Sequence, residues 1–223
     1  MKQVTLLTAV ALSLSVHPIV GATIYDTGPF TADGGAMASD FSSSTTPTSP
    51  IQRADDFLFS STSQITTINW WGQYAFNNTP GPDDFTLRIF ADLSGTPASI
   101  PLFQFALGNV GRVTTGVVSF GSDVYGYSGV LSSPVTLSGG TTYWLSIVNN
   151  TASDANDNWY WQRVSRFTGS VQSRNTDVSP WGVIEPSTLA FNLQGSVVPE
   201  PSFLALLLVG GTSLAFTVRK GQS

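Results

Sequence analysis

The chain has 223 residues, a formal net charge of −5, no cysteine and a single histidine, His17. An acidic chain lacks the clustered basic side chains that neutralise phosphate, which argues against DNA and RNA as partners. Without cysteine there are no disulfides and no thiolate metal sites, so a fold of this size rests on its hydrophobic core.

Residues 1–22 combine an early Lys2, an apolar stretch from Val4 to Val16 and the small-residue ending Val20-Gly21-Ala22. That is the pattern of a secretory signal peptide cut after Ala22. Residues 23–197 suit one domain. This body has no lysine and only one glutamate, Glu185, whereas Ser, Thr, Gly and aromatic residues abound. Helix surfaces draw on Lys and Glu, so the composition predicts strands.

Alternating apolar and polar residues recur along the body, broken by Gly, Pro, Asn, Asp and Ser clusters. The alternation predicts strands at Thr23–Asp26, Ala54–Ser60, Gln64–Phe76, Phe85–Ala91, Pro101–Leu107, Arg112–Phe120, Gly126–Leu131, Val135–Leu137, Thr142–Val148, Trp159–Arg163 and Leu189–Gln194. Ala38–Pro50, rich in Ser, Thr and Pro, reads as a long exposed loop. Asn77–Asp84 and Ser138–Thr141 are turn clusters expected to join adjacent antiparallel strands. The predicted fold is all-β, an antiparallel β-sandwich of the jelly-roll kind.

The body offers little to catalysis. With His17 in the leader and no Cys or Lys, the Ser-His-Asp triad, the Cys-His pair, the Ser-Lys dyad, the Schiff-base lysine and ordinary zinc sites have no residues to use. Carboxylates remain, at Asp55, Asp56, Asp83, Asp84 and Glu185, and two of them flanking a glycosidic bond could hydrolyse it. Neighbouring aspartates on one strand point to opposite faces, however, so neither Asp-Asp pair forms a facing dyad by itself. No catalytic residue is assigned and no enzyme activity is expected.

Two binding chemistries fit the remaining residues. Asp154, Asn156 and Asn158 alternate as oxygen ligands do in the first half of a calcium loop, so calcium is the one cofactor the residues suit. The rest of that motif is missing, with Trp159 where the sharp-turn glycine belongs and Ser165 where the closing glutamate belongs. Among the six tryptophans, Trp70 and Trp144 are expected in the core. Trp71 and Trp159 are expected to be exposed, where they would stack on the faces of a polysaccharide.

The last segment, residues 198–223, carries Pro199-Glu200-Pro201, then the uncharged stretch Phe203–Val218, then Arg219-Lys220. As a helix that stretch covers about 24 Å, a short transmembrane span. Arg219 and Lys220 act as a stop on the cytoplasmic side and leave the body outside. The motif, the apolar run and the basic end, in that order, resemble the PEP-CTERM sorting signal. The resemblance to the sorting signal itself covers this tail. It implies an exported protein of a Gram-negative-type bacterium, held in the membrane by its C-terminal segment until an exosortase-type enzyme reads Pro199, Glu200 and Pro201. It further implies a destination at the cell surface, in the envelope or in an exopolysaccharide-rich biofilm matrix. Body segments such as INWWGQYAFNN and TTYWLSIVNN are also similar to bodies of PEP-CTERM proteins. The expected function is a noncatalytic surface or matrix protein, with a carbohydrate-binding module as the alternative.

Overall fold

The computed structural model describes residues 21–41, 50–74, 80–152, 158–165 and 169–199. Among the described residues thirteen strands form two antiparallel sheets and no helix occurs. Sheet one contains β1 (Ala22–Asp26), β2 (Ala36–Ala38), β4 (Ser63–Tyr74), β7 (Val113–Ser119), β8 (Ser122–Leu137), β10 (Trp159–Gln162) and β13 (Phe191–Val197). Sheet two contains β3 (Gln52–Leu58), β5 (Phe85–Ala91), β6 (Phe103–Gly108), β9 (Thr142–Val148), β11 (Ser170–Arg174) and β12 (Gly182–Pro186), in the order β12-β11-β3-β9-β5-β6.

The long strand β4 organises sheet one. Along one side it pairs with β8 from Ser63 to Gln73. Along the other it pairs first with β13, up to Trp70, and then with β10 from Gly72 to Tyr74. Its period of two sends Ile68, Trp70 and Tyr74 into the core and leaves Trp71 and Gln73 on the outer face. Sheet two answers with Phe57, Phe85, Leu87 and Leu145. Phe85 sits edge-on among three rings of sheet one, with centroids 5.1 Å from Trp70, 4.9 Å from Tyr127 and 5.2 Å from Trp159. Such edge-to-face pairs contribute about 0.5–1.5 kcal/mol each beyond area burial.

Several local expectations are corrected. Gly126–Leu131 and Val135–Leu137 are one strand, β8, interrupted by a bulge opposite Ile65–Thr67 where Pro134 needs no ladder hydrogen bond. The turn clusters Asn77–Asp84 and Ser138–Thr141 do not join neighbours in one sheet: each carries the chain from sheet one to sheet two, from β4 to β5 and from β8 to β9. Residues 77–79 of the first cluster, and residues 75–76 of the expected strand before it, lie outside the described residues. Strands β2, β11 and β12 were not anticipated.

The expected loop Ala38–Pro50 begins instead as a buried crossing between sheets, with Ala38, Ser39 and Asp40 all covered. Strand β2 pairs with β10 in sheet one, and the Ser39 N–H donates to Trp159 O at 3.1 Å. One residue later the chain has reached sheet two, where Asp40 exchanges backbone hydrogen bonds with Ile51 at 2.8 and 2.9 Å and the Phe41 N–H donates to Asn149 O at 2.9 Å. Ser39 adds its hydroxyl to Ile147 O at 2.6 Å. This short segment therefore stitches one margin of the sandwich together.

Candidate functional site

The buried carboxylates are occupied by the fold. The Asp40 carboxylate accepts from the Thr151 hydroxyl at 2.9 Å, the Thr151 N–H at 3.3 Å and the Trp159 N–H at 2.8 Å. Asp83 accepts from Arg112 Nε at 3.1 Å and Asn149 Nδ2 at 3.0 Å, and from the Tyr74 hydroxyl. Asp55 accepts from the Leu189 N–H at 2.6 Å and from the Asp56 N–H at 3.0 Å. Asp84 is exposed, and Glu185 lies on the edge strand β12.

Asp55 and Asp56, neighbours on β3, nonetheless border one small cleft of about 200 Å³ at the sandwich margin, together with Asp26 and Tyr25. Burial pushes the Asp55 carboxyl well above its ordinary value of 3.8; the Leu189 N–H opposes this, the Asp56 charge adds to it and the Asp56 N–H opposes it without restoring the ordinary value. The Tyr25 hydroxyl is pushed up to about 12, first by burial and then by Asp55, Asp56 and Asp26. The folded protein therefore keeps the Asp55 proton at pH values where the unfolded chain has lost it. The resulting stability is complete below 3.8 and declines as pH rises through the raised folded value. We expect the melting temperature to fall as pH rises above 3.8 and to go on falling until the raised folded value is passed. Asp55→Asn should flatten that part of the profile in a thermal melt series, and an unchanged slope would count against a protonated Asp55.

The outer face of sheet one offers a different chemistry. A cleft of about 340 Å³ is lined by Gly35, Gln73, Phe120, Ser122, Tyr160 and Arg163, among others. Gln73 comes from the end of β4 and Tyr160 from β10, both on the outward side of the alternation. Gln162 Nε2 donates to Gln73 Oε1 at 2.6 Å, which fixes the Gln73 amide and leaves its Nε2 for the cleft. Arg163 lies across the Gly34–Gly35 turn, its Nε donating to Gly34 O at 2.7 Å. A Cβ on Gly35, whose φ is +72°, would stand 2.8 Å from Arg163 Nη2 and 3.5 Å from Phe120 Cε2. Glycine therefore lets the arginine and the phenylalanine close over the same backbone.

Phe120 is the unusual member. It and Gly121 form the two-residue connection between β7 and β8, with φ of 49° and 83°. Positive φ at both central residues is the type I′ hairpin, where Asn, Asp or Gly ordinarily stands first. A phenylalanine in that conformation costs about 1–2 kcal/mol. It is also 78% exposed, so core packing does not compensate the strain. Strain retained at an exposed aromatic residue points to use by a ligand. The hairpin is fixed from below by the Ser119 hydroxyl, which donates to Ala32 O at 2.9 Å.

The expected stacking residues fall elsewhere. Trp159 was expected outside but is completely buried, because Trp159 and Trp161 face the core and Tyr160 takes the outer side. A Cβ on Gly72 would stand 2.5 Å from the Trp159 indole, so the absence of a side chain there makes room for the ring. Trp71 is half-buried on the outer face, beside Phe30 at 5.7 Å, bordering a neighbouring hollow of about 390 Å³ with Val113 and Gly126. Asp154 and Asn156 of the expected calcium loop lie outside the described residues, and Asn158 is buried. Among the described residues no group of three or more His, Cys, Asp or Glu side chains could hold a metal ion.

Residues 1–20 of the expected leader (residues 1–22) and the tail from Glu200 onward, with Pro201, Arg219 and Lys220, also lie outside the described residues, while Ala22 begins β1. Pro199 is exposed just beyond β13. No helix among the described residues is long and apolar enough to cross a membrane. The sequence reading missed Gln73, Phe120, Tyr160 and Arg163 as a group. The signal that marks them is Phe120-Gly121 between two β-patterned runs, with an aromatic residue where the turn calls for Asn or Asp.

A family model described as a domain of unknown function (DUF7901) matches residues 29–194, most of the sandwich. No curated protein and no solved structure matches the chain.

Proposed function

We propose, from the premise that this chain belongs to the DUF7901 family, that it is an exported, noncatalytic β-sandwich of the jelly-roll kind. It is sorted through Pro199-Glu200-Pro201 to the cell surface or the surrounding matrix, and it acts there by contact and not by chemistry. The observation that carries the reading is the state of the acids. Asp40, Asp55 and Asp83 are tied to backbone N–H groups, an arginine or neighbouring side chains, and the body contains no His, Cys or Lys to replace them as acid, base or nucleophile. Export and sorting rest on the leader, the PEP motif, the apolar run and the terminal Arg-Lys pair.

Mass spectrometry of the mature protein tests the sorting half of this reading. The expected product of the producing cell lacks Phe203–Ser223, and replacing Pro199, Glu200 and Pro201 by alanine leaves an exported protein that retains it. A wild-type mature product still carrying that segment would favour a plain membrane anchor. A carbohydrate-binding module is the alternative within this reading, favoured by the cleft at Phe120 and not by Trp159.

A further inference from the structure

Building on the reading of a noncatalytic exported domain, we propose that the cleft beneath Phe120 is a glycan-binding site. It takes a short stretch of polysaccharide, one pyranose ring of which stacks on the exposed Phe120 ring. A pyranose is amphipathic: its axial C–H groups make an apolar face, and its hydroxyls project around the rim as paired donors and acceptors. The cleft matches both parts. Phe120 and Tyr160 supply aromatic surface, and around them stand the Gln73 amide, the Ser122 hydroxyl, the Tyr160 hydroxyl and the Arg163 guanidinium. A planar amide and a planar guanidinium each present parallel polar groups, which suits neighbouring sugar hydroxyls.

Size and rigidity agree with that occupant. At about 340 Å³ the cleft lies at the small end of the range of ligand pockets, roughly 300–1,000 Å³, so it holds a few rings of a chain and not a folded partner. Its groups stand on strands, on a tight hairpin or, for Arg163, directly after β10. Gln73 is held by Gln162, Arg163 by Gly34, and the Phe120 hairpin by Ala32. Little ordering entropy is lost when a ligand enters such a site. A nucleobase offers a flat face as well, but it arrives with phosphate, which the net charge of −5 repels.

The hairpin supplies a substitution that separates binding from folding. Asparagine suits the first position of a type I′ turn better than phenylalanine does. Phe120→Asn should therefore keep or raise the melting temperature while removing the stacking surface. The experiment uses the purified full chain in a sugar-free zwitterionic detergent, applied to an array of neutral hexose, amino-sugar and uronate oligosaccharides and then titrated calorimetrically with the best of them. The expected result is binding to at least one class by the wild type. Binding should weaken by about tenfold in Phe120→Asn, as expected for loss of an aromatic contact. Tyr160→Phe, which keeps the ring and removes the hydroxyl, should also bind more weakly.

Three results would overturn the proposal: no binding to any class by the wild type, equal binding by Phe120→Asn, or loss of binding in Trp71→Ala alone, which would move the site to the neighbouring hollow. The titration is made on purified protein, so it is independent of where the cell sends the chain. A tail that proves to be uncleaved would refute the sorting reading and leave this one standing.

Discussion

Asp40→Ala is expected to destabilise the protein by about 3–5 kcal/mol, because it strands three buried donors at once. Asp40 is only 2% exposed, and its carboxylate takes the hydroxyl and N–H of Thr151 together with the N–H of Trp159. A buried donor left without an acceptor costs about 1–3 kcal/mol, whereas a typical net hydrogen bond contributes only about 1 kcal/mol. The loss therefore exceeds what counting contacts suggests. The site also lies where the chain crosses between the sheets, so loosening it releases β2 from β10 and the crossing from Asn149. Urea unfolding measures the total, and amide exchange at Trp159 reports the local part. A cost below about 1 kcal/mol would show that solvent reaches the three donors and replaces Asp40.

Arg112→Ala is expected to have a comparable effect through a different cause, the uncompensated charge it leaves on Asp83. The Asp83 side chain is fully buried, and Arg112, 20% exposed, lies between the Tyr74 and Tyr125 rings with its guanidinium carbon 5.0 and 5.6 Å from their centroids. Burial, followed by the nearby Tyr127 and Asp83 groups, pushes the Tyr74 hydroxyl far above its ordinary value, so it remains a donor to Asp83. Removing one partner of a buried ion pair costs about 3–5 kcal/mol, while removing both costs much less than the sum. The Arg112→Ala, Asp83→Ala cycle should therefore show strong coupling, and additive losses would mean that the pair is solvated. The guanidinium also packs on the two rings, so Arg112→Met should recover part of the loss by restoring apolar contact.

The legibility of the chain varied with what its side chains face. β5 and β9 match their expected limits at both ends because their inward residues are apolar and turn residues stop them cleanly. β11 was invisible for the opposite reason. Its Gln172 and Arg174 are buried on the outer face of sheet two, where Trp181 lies 4.4 Å from the Arg174 guanidinium carbon, so polar residues occupy covered positions. β2 has three residues, too few for any period to show.

The same limit governs the site. Alternation established that Trp159 and Trp161 share a face, but not which face the second sheet would cover; Gly72, which clears space for the Trp159 indole, belongs to a different strand. In the sequence Phe120 is the end of a strand pattern, because Ser122–Tyr125 carries no signal there as the start of the next. Once the two strands meet, the residue becomes the exposed apex of a hairpin. Gln73 lies far in sequence from Tyr160 and Arg163 and meets them only through the pairing of β10 with β4.

Strand β4 also gives the molecule a mechanical axis. At one end Val198, where the chain leaves the sandwich, donates its N–H to Thr62 O beside Ser63. The cleft lies at the other end, at Gln73, about 33 Å away along the strand. A tether pulling at Val198 against a ligand held at the cleft would load the sheet lengthwise. The antiparallel bonds joining β4 to β13 and β8 stand across that direction, so many would be strained together and not opened one by one. A sheet so arranged resists shear between a tether at Val198 and a ligand at the cleft, were both present.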